Sequence, residues 1–242
     1  MSLGFGHLAR IGHLYPSGGL CDHEIQLMAP DGVQFVTTRL PFRSTGIRDD
    51  LRLVEDLERH AGLLADAEVD LVAVNCTAAT LLAGPERIKE RIRAATGIEA
   101  VTTIEAVLAA LRALGIRRPA LLTPYPDEVV EAERTYLRSH GVEVVTHLGI
   151  PCATPVEQAV IEPGRWFGLA SSVDPSTVDG VLLSCAGIRV ASELRRIEHR
   201  LGLPVVASNQ ALLWQLLRDL RIPAGTSRYG SLLDDGPDRA GA

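Results

Sequence analysis

Val69-Asp70-Leu71-Val72-Ala73-Val74-Asn75-Cys76-Thr77 aligns without a gap on Val178-Asp179-Gly180-Val181-Leu182-Leu183-Ser184-Cys185-Ala186. In each copy a short apolar run ends in one polar residue and a cysteine. That is the pattern of a buried strand that carries a thiol at its carboxyl end. A second pair follows in the same order. Gly97-Ile98-Glu99-Ala100-Val101-Thr102-Thr103 resembles Gly202-Leu203-Pro204-Val205-Val206-Ala207-Ser208, and the offset between copies shifts by only four residues. Strand composition alone can produce one chance match; two in register indicate a duplicated βα unit.

Outward from these runs, β-branched segments alternate with longer amphipathic ones, which predicts a parallel α/β protein. Strands are expected at 8–14, 33–39, 71–75, 99–102, 119–123, 143–148, 181–184 and 204–207. Helices are expected at 48–66, 85–96, 104–114, 127–140, 155–172, 189–201 and 209–220. Asp49 and Asp50 fall in the first turn of helix 48–66, where carboxylates complement the macrodipole. The Gly-, Pro-, Ser- and Asp-rich stretch 223–242 reads as a loosely packed end. The expected architecture is two similar lobes with parallel sheets flanked by helices, related by a pseudo-twofold axis, with the active site in the cleft between them. The first lobe takes residues 1–105 plus 210–242, and the second takes 106–209.

Composition removes several function classes. The 242 residues are 46% hydrophobic and 22% charged, with a net charge of -6, so an ordinary globular protein is expected. The basic residues are scattered, which argues against nucleic acid or an anionic membrane as partner. No apolar run reaches the roughly 18–20 residues of a membrane span. Lys89 is the sole lysine, and it lies in the charged segment Pro85-Glu86-Arg87-Ile88-Lys89-Glu90-Arg91. Schiff-base chemistry, which needs a desolvated lysine, is therefore not expected. Gly4-Phe5-Gly6 has no preceding strand and is no dinucleotide fingerprint. The seven histidines pair with no nucleophile elbow. Met1-Ser2-Leu3-Gly4-Phe5 lacks the features of a secretory signal, so a reducing, cytoplasmic setting is expected.

Four cysteines remain as chemistry-bearing residues: Cys21, Cys76, Cys152 and Cys185. No two have CxxC spacing. Cys21 and Cys152 read as small buried hydrophobes. Cys21-Asp22-His23-Glu24 holds metal-capable groups, but alternation separates neighbours and no second cluster stands out, so no metal is expected. Glu24 either orients the Pro16-Ser17 loop or is solvated. Cys76 and Cys185 differ, because each ends a strand and precedes a small polar or flexible run, Thr77-Ala78-Ala79-Thr80 or Ala186-Gly187-Ile188-Arg189. Ligands of open parallel sheets sit at such strand ends. Amides of the following turn favour a thiolate, lowering its pKa toward neutrality, and would also hold a substrate carboxylate. Equivalent positions in a repeat should face each other across the cleft, within about 10 Å, as a general acid/base pair.

Asn75-Cys76-Thr77, Ser184-Cys185-Ala186-Gly187-Ile188-Arg189 and Tyr15-Pro16-Ser17-Gly18-Gly19 resemble the aspartate/glutamate racemase superfamily, nearest its maleate cis-trans isomerase and arylmalonate decarboxylase branch. The resemblance extends over about residues 8–220 and includes Thr123-Pro124-Tyr125. It implies a cofactor-independent enzyme acting beside a carboxylate. In such isomerases the position of Cys76 is nucleophile or base, and that of Cys185 handles a proton on the other face. The substrate-binding positions it implies are Pro16, Ser17, Gly18, Asn75, Thr77, Ala78, Tyr125, Ala186 and Gly187, with Tyr125 on a carboxylate. The decarboxylase branch keeps only the second cysteine, so Cys76 points toward an isomerase or racemase. Maleate isomerases carry asparagine where this chain has Gly19, Thr-Asn where it has Ala186-Gly187, and a further asparagine missing from the loop 149–154. Arg39 and Arg189 are candidate replacement donors.

The expected function is a cofactor-independent isomerase of a small carboxylic or dicarboxylic acid. Its alternatives are a substituted-malonate decarboxylase with Cys185 as proton donor, and a non-catalytic carboxylate-binding protein. The expected partner is the small carboxylate itself, in a possible homo-oligomer.

Overall fold

In the computed structural model, residues 5–224 and 228–234 are described. The repeat becomes visible as two four-stranded parallel sheets of identical order. In the first, β1 (Ala9–Pro16), β2 (Val33–Leu40), β3 (Leu71–Val74) and β4 (Ala100–Thr102) are arranged β2-β1-β3-β4. In the second, β5 (Pro119–Thr123), β6 (Thr146–Gly149), β7 (Gly180–Leu183) and β8 (Val205–Ala207) are arranged β6-β5-β7-β8. The duplicated runs form the equivalent strands β3 and β7, and each lies between two neighbours. Pairing Val72 with Ala100 in one sheet corresponds to pairing Val181 with Val205 in the other. Strands enclosed in this way must be apolar throughout, and β5 and β7 are buried at every residue.

The helices are α1 (Asp22–Met28), α2 (Ile47–Arg52), α3 (Leu57–Ala65), α4 (Thr77–Ala83), α5 (Pro85–Thr96), α6 (Thr103–Ala113), α7 (Asp127–Ser139), α8 (Pro155–Val160), α9 (Pro163–Ser171), α10 (Leu194–Leu201) and α11 (Ser208–Asp219). Several sequence expectations need correction. The segment 48–66 is two helices, bent at Leu53 and Val54 so that both of these residues and Asp50 turn inward. The segment 155–172 breaks before Pro163, which has no amide to continue a helix but fits the first turn of a new one. Thr77 to Thr80 is helical, and α10 starts only at Leu194, after a 3-10 turn at Ala191–Glu193. The expected loose end is packed over 228–234: Leu232 and Leu233 enter the core, and the Ser231 amide and hydroxyl bond Glu198 at 2.9 and 2.7 Å. The remainder of that stretch, 225–227 and 235–242, lies outside the described residues.

The equivalent helices α6 and α11 pack against each other between the sheets. Their first turns are polar yet buried: Thr103, Ser208, Asn209 and Gln210 are 0–2% exposed. Buried polar groups need partners, and here each partner lies on a strand end or a neighbouring helix. Thr103 Oγ1 donates to Val74 O at 2.9 Å, Thr77 Oγ1 to Ser208 Oγ at 2.9 Å, and the Cys185 amide to Ser208 Oγ at 3.1 Å. Asn209 accepts from Asn75 Nδ2 at 2.9 Å and donates to Glu24 Oε2 at 2.8 Å and to Ala186 O at 3.2 Å. Glu24 in turn accepts the amides of Val190 and Ala191 at 2.6 and 2.9 Å. It therefore orients the loop after β7 rather than the Pro16-Ser17 loop. Asn209→Ala strands several of these groups, and urea titration should read a destabilisation of about 1–3 kcal/mol. An unchanged midpoint would remove the seam as a structural element.

Candidate active site

Cys76 follows β3 by two residues and takes the position just before α4, in extended conformation (φ -151°, ψ 108°). Cys185 follows β7 by two residues. The topology thus delivers both thiols at the carboxyl ends of equivalent strands, and both line one small cavity. Tyr125, after β5, is in the same wall, as are Pro16, Thr77, Ala78, Ala186 and Gly187.

Three expected contact residues do not reach it. Ser17 is tied to the loop beyond β2, its amide bonding Leu40 O at 2.7 Å and its hydroxyl accepting the Phe42 amide at 3.0 Å; it faces an outer hollow. The Gly18 amide bonds Phe42 O at 3.0 Å, and a Cβ there would stand 2.7 Å from that oxygen. Asn75 lies behind the wall in the seam with Asn209 and His13. Neither arginine proposed as a carboxylate donor lines the cavity. Arg39 braces the 16–19 loop from outside through Gly19 O at 2.6 Å and Asp22 at 2.7 Å. Arg189 bonds Ala159 O at 2.8 Å and Glu162 at 3.4 Å. Gly19 is held small by Tyr15: a Cβ would lie 2.5 Å from its ring, whose hydroxyl donates to Ala186 O at 3.1 Å. An asparagine side chain has no room there.

The cavity has members that sequence reasoning missed. Asp50 accepts the Cys76 thiol at 3.8 Å, and Gln158 Oε1 accepts the Cys185 thiol at 3.5 Å. Asp50 had a sufficient explanation as a helix-start carboxylate, so nothing in its neighbours marked it as buried. Thr45 also lines the cavity; it joins two loops, its amide donating to Ala153 O at 3.1 Å and its hydroxyl to Cys152 O at 2.7 Å. Cys21 and Cys152 are buried, and their thiols donate to Gly187 O and Ile150 O, both at 3.2 Å. Among the described residues no cluster of three or more His, Cys, Asp or Glu is arranged to hold a metal.

The electrostatics correct one expectation. Burial pushes the Cys185 thiol up to about 12, against the Gly187 amide at 3.1 Å and the Tyr125 hydroxyl, which favour the thiolate. Cys76 is raised well above an ordinary thiol by burial, then by the Asp50 charge; the Ala79 amide opposes this. Turn amides are present, as expected, but desolvation outweighs them, so both thiols carry protons at neutral pH. Tyr125 is likewise held neutral by burial. Behind Cys185, Glu133 is wholly buried, takes the Ser184 hydroxyl, and leaves Oε2 without a partner. Burial raises it to about 7. Because its folded-state value exceeds the ordinary 4.5, its stabilising contribution is full below that value and is lost as pH rises through about 7. Glu133→Gln should therefore gain stability relative to the parent between pH 5 and pH 8, on the order of 3 kcal/mol, by denaturant titration. A pH-independent difference contradicts this.

A sequence profile of the family described as arylmalonate decarboxylase matches residues 12–233. The arylmalonate decarboxylase of Bordetella bronchiseptica is 30% identical over 91% of this chain and 94% of its own length. The maleate isomerase of Geobacillus stearothermophilus is 25% identical over 75% of this chain and 76% of its own. A crystal structure of the maleate isomerase Iso from Pseudomonas putida S16, a variant with maleate, superposes with a TM-score of 0.87 at 25% identity, covering 93% of this chain and 97% of that one. No helix among the described residues is long and apolar enough to cross a membrane. The chain thus belongs to the arylmalonate decarboxylase family, in the branch of the aspartate/glutamate racemase superfamily that includes the maleate isomerases.

Proposed function

We propose that this protein is a cofactor-independent isomerase of a small carboxylic acid, with Cys76 and Cys185 as the reacting groups. The observation that carries the reading is that both thiols, from equivalent positions of the repeat, open on one cavity. The maleate isomerases among the relatives support an isomerase. Two routes use the same residues. In proton exchange, one cysteine as thiolate removes the α-proton, an enediolate forms, and the thiol of the other returns a proton on the opposite face. In addition and rotation, the Cys76 thiolate adds to a carbon–carbon double bond, the resulting single bond turns, and elimination releases the trans acid and the thiolate. Both need one thiolate and stabilised enediolate charge. The Gly187 amide and the Tyr125 hydroxyl favour a Cys185 thiolate and so support the first route, with Cys185 as the base.

A second reading is decarboxylation of a substituted malonate. In that case carbon dioxide leaves, the enediolate takes the Cys185 proton, and water restores the thiol. The family profile and the 30% identity to an arylmalonate decarboxylase favour it. Cys76 speaks against it, since a pure proton donor needs no partner thiol.

Proton NMR of the protein with maleate, substituted maleates, arylmalonates, aspartate and glutamate in deuterated water separates the three. Proton exchange inserts deuterium at the α-carbon, addition and rotation give a fumarate-type product, and decarboxylation loses a carboxyl group. For an isomerase, Cys76→Ser and Cys185→Ser should each lower kcat/KM about 100-fold or more. If Cys76→Gly keeps activity while Cys185→Ser abolishes it, the decarboxylase reading replaces this one. Full turnover in both serine variants contradicts either.

A further inference from the structure

Asp50 stands in the wall of the cavity, 3% exposed, with Oδ1 3.8 Å from the Cys76 sulfur. No lysine, arginine or histidine lines the cavity among the described residues. Its remaining polar side chains, Tyr15, Thr45, Thr77, Tyr125, Gln158 and the two thiols, are neutral. The charged and titratable groups that face Asp50 do not compensate its charge. Cys76 precedes α4, whose seven residues carry no titratable side chain. Glu128 of α7 takes the Ile47 amide at 3.0 Å and, like Asp49 on the same helix as Asp50, adds negative potential. Cys185 lies in the same cavity wall. Arg48 and Arg52 of α2 are exposed.

An ionised ligand in this cavity would therefore meet an ionised Asp50 with no cation between them. Like charges at such range shift a carboxyl group by about one to three pH units, a penalty of about 10- to 1000-fold in affinity. A proton on Asp50 removes the repulsion and turns the side chain into an O–H donor to the ligand carboxylate. We propose that Asp50 selects the ionic form of the ligand: the cavity takes a carboxylate with the proton held on Asp50, and it prefers singly charged acids over doubly charged ones. The inference rests on the reading of the cavity as a carboxylate site and narrows the substrate class. Burial already raises Asp50 to about 7, so the proton is available near neutrality. Above that pH each ligand takes up one proton on binding; below it, none.

Isothermal titration calorimetry with propionate, which carries at most one charge and is mostly ionised even at pH 5.5, tests this in two buffers of different ionisation enthalpy. The parent protein should take up about one proton per ligand at pH 8 and close to none at pH 5.5. Its Kd should rise about tenfold per pH unit above 7. Asp50→Asn should bind at pH 8 about tenfold more tightly than the parent, with little change between pH 6 and pH 8. Maleate affinity at pH 8 should recover in the variant by about the same factor and stay below that of propionate in both proteins. Absence of proton uptake by the parent at pH 8 overturns the proposal, as does an unaltered pH dependence in Asp50→Asn or no propionate binding to either protein at pH 5.5. Should Asp50→Asn not fold, the parent's proton uptake decides alone. If proton-linked binding holds while no acid is turned over, the enzymatic reading fails and the role of Asp50 stands. Turnover without proton uptake is the reverse case.

Discussion

The hydrogen bonds to Ser208 Oγ, from Thr77 Oγ1 and from the Cys185 amide, join the segment after β3 to the segment after β7. Everything about the candidate site depends on that junction. Two sheets packed only by apolar contacts could slide with little penalty, because hydrophobic burial has no direction. Buried donors and acceptors do have direction, and leaving one unpaired costs about 1–3 kcal/mol. The polar first turns of α6 and α11 therefore fix the register of one half on the other. Asn209 extends the seam to Asn75 and, through Glu24, to the loop beyond Cys185. The two thiols are held by residues that touch neither sulfur.

Enclosure has consequences for the chemistry. An enclosed cavity strengthens every dipole aimed at a developing enediolate, yet burial also keeps both thiols and Tyr125 neutral near pH 7 and leaves Asp50 about half protonated there. A thiolate must therefore form together with ligand binding. Amide and hydroxyl donors are concentrated around Cys185, whereas Cys76 faces a carboxyl group. The repeat is equivalent in backbone and unequal in electrostatics.

The strands and their division into two similar sheets were legible because buried parallel strands carry an unbroken apolar signal, as in Leu71–Val74 and Gly180–Leu183; β6, half-buried at the edge, starts at Thr146 rather than at 143. Helix boundaries were less so. Pro163 was visible but was read through, and α4 was masked by the small residues Thr77 to Thr80, whose burial rather than propensity makes them helical. The paired cysteines came from the repeat, and the neighbourhood of Tyr125 from the resemblance. Asp50, Gln158 and the outward course of Arg39 and Arg189 depend on loops that approach from distant parts of the chain. No local pattern encodes that approach. The sign of the thiol shifts was likewise beyond sequence, since amides near a strand end are predictable and the depth of burial is not.

The most direct measurement is a crystal structure of the protein grown with propionate at pH 5.5. This account predicts the acid between Cys76 and Cys185, with its carboxylate within hydrogen-bond range of neutral donors on the cavity wall. Propionate seated instead in the outer hollow beside Arg39, Arg43 and Arg52, with the space between the two sulfur atoms holding only water, would contradict it.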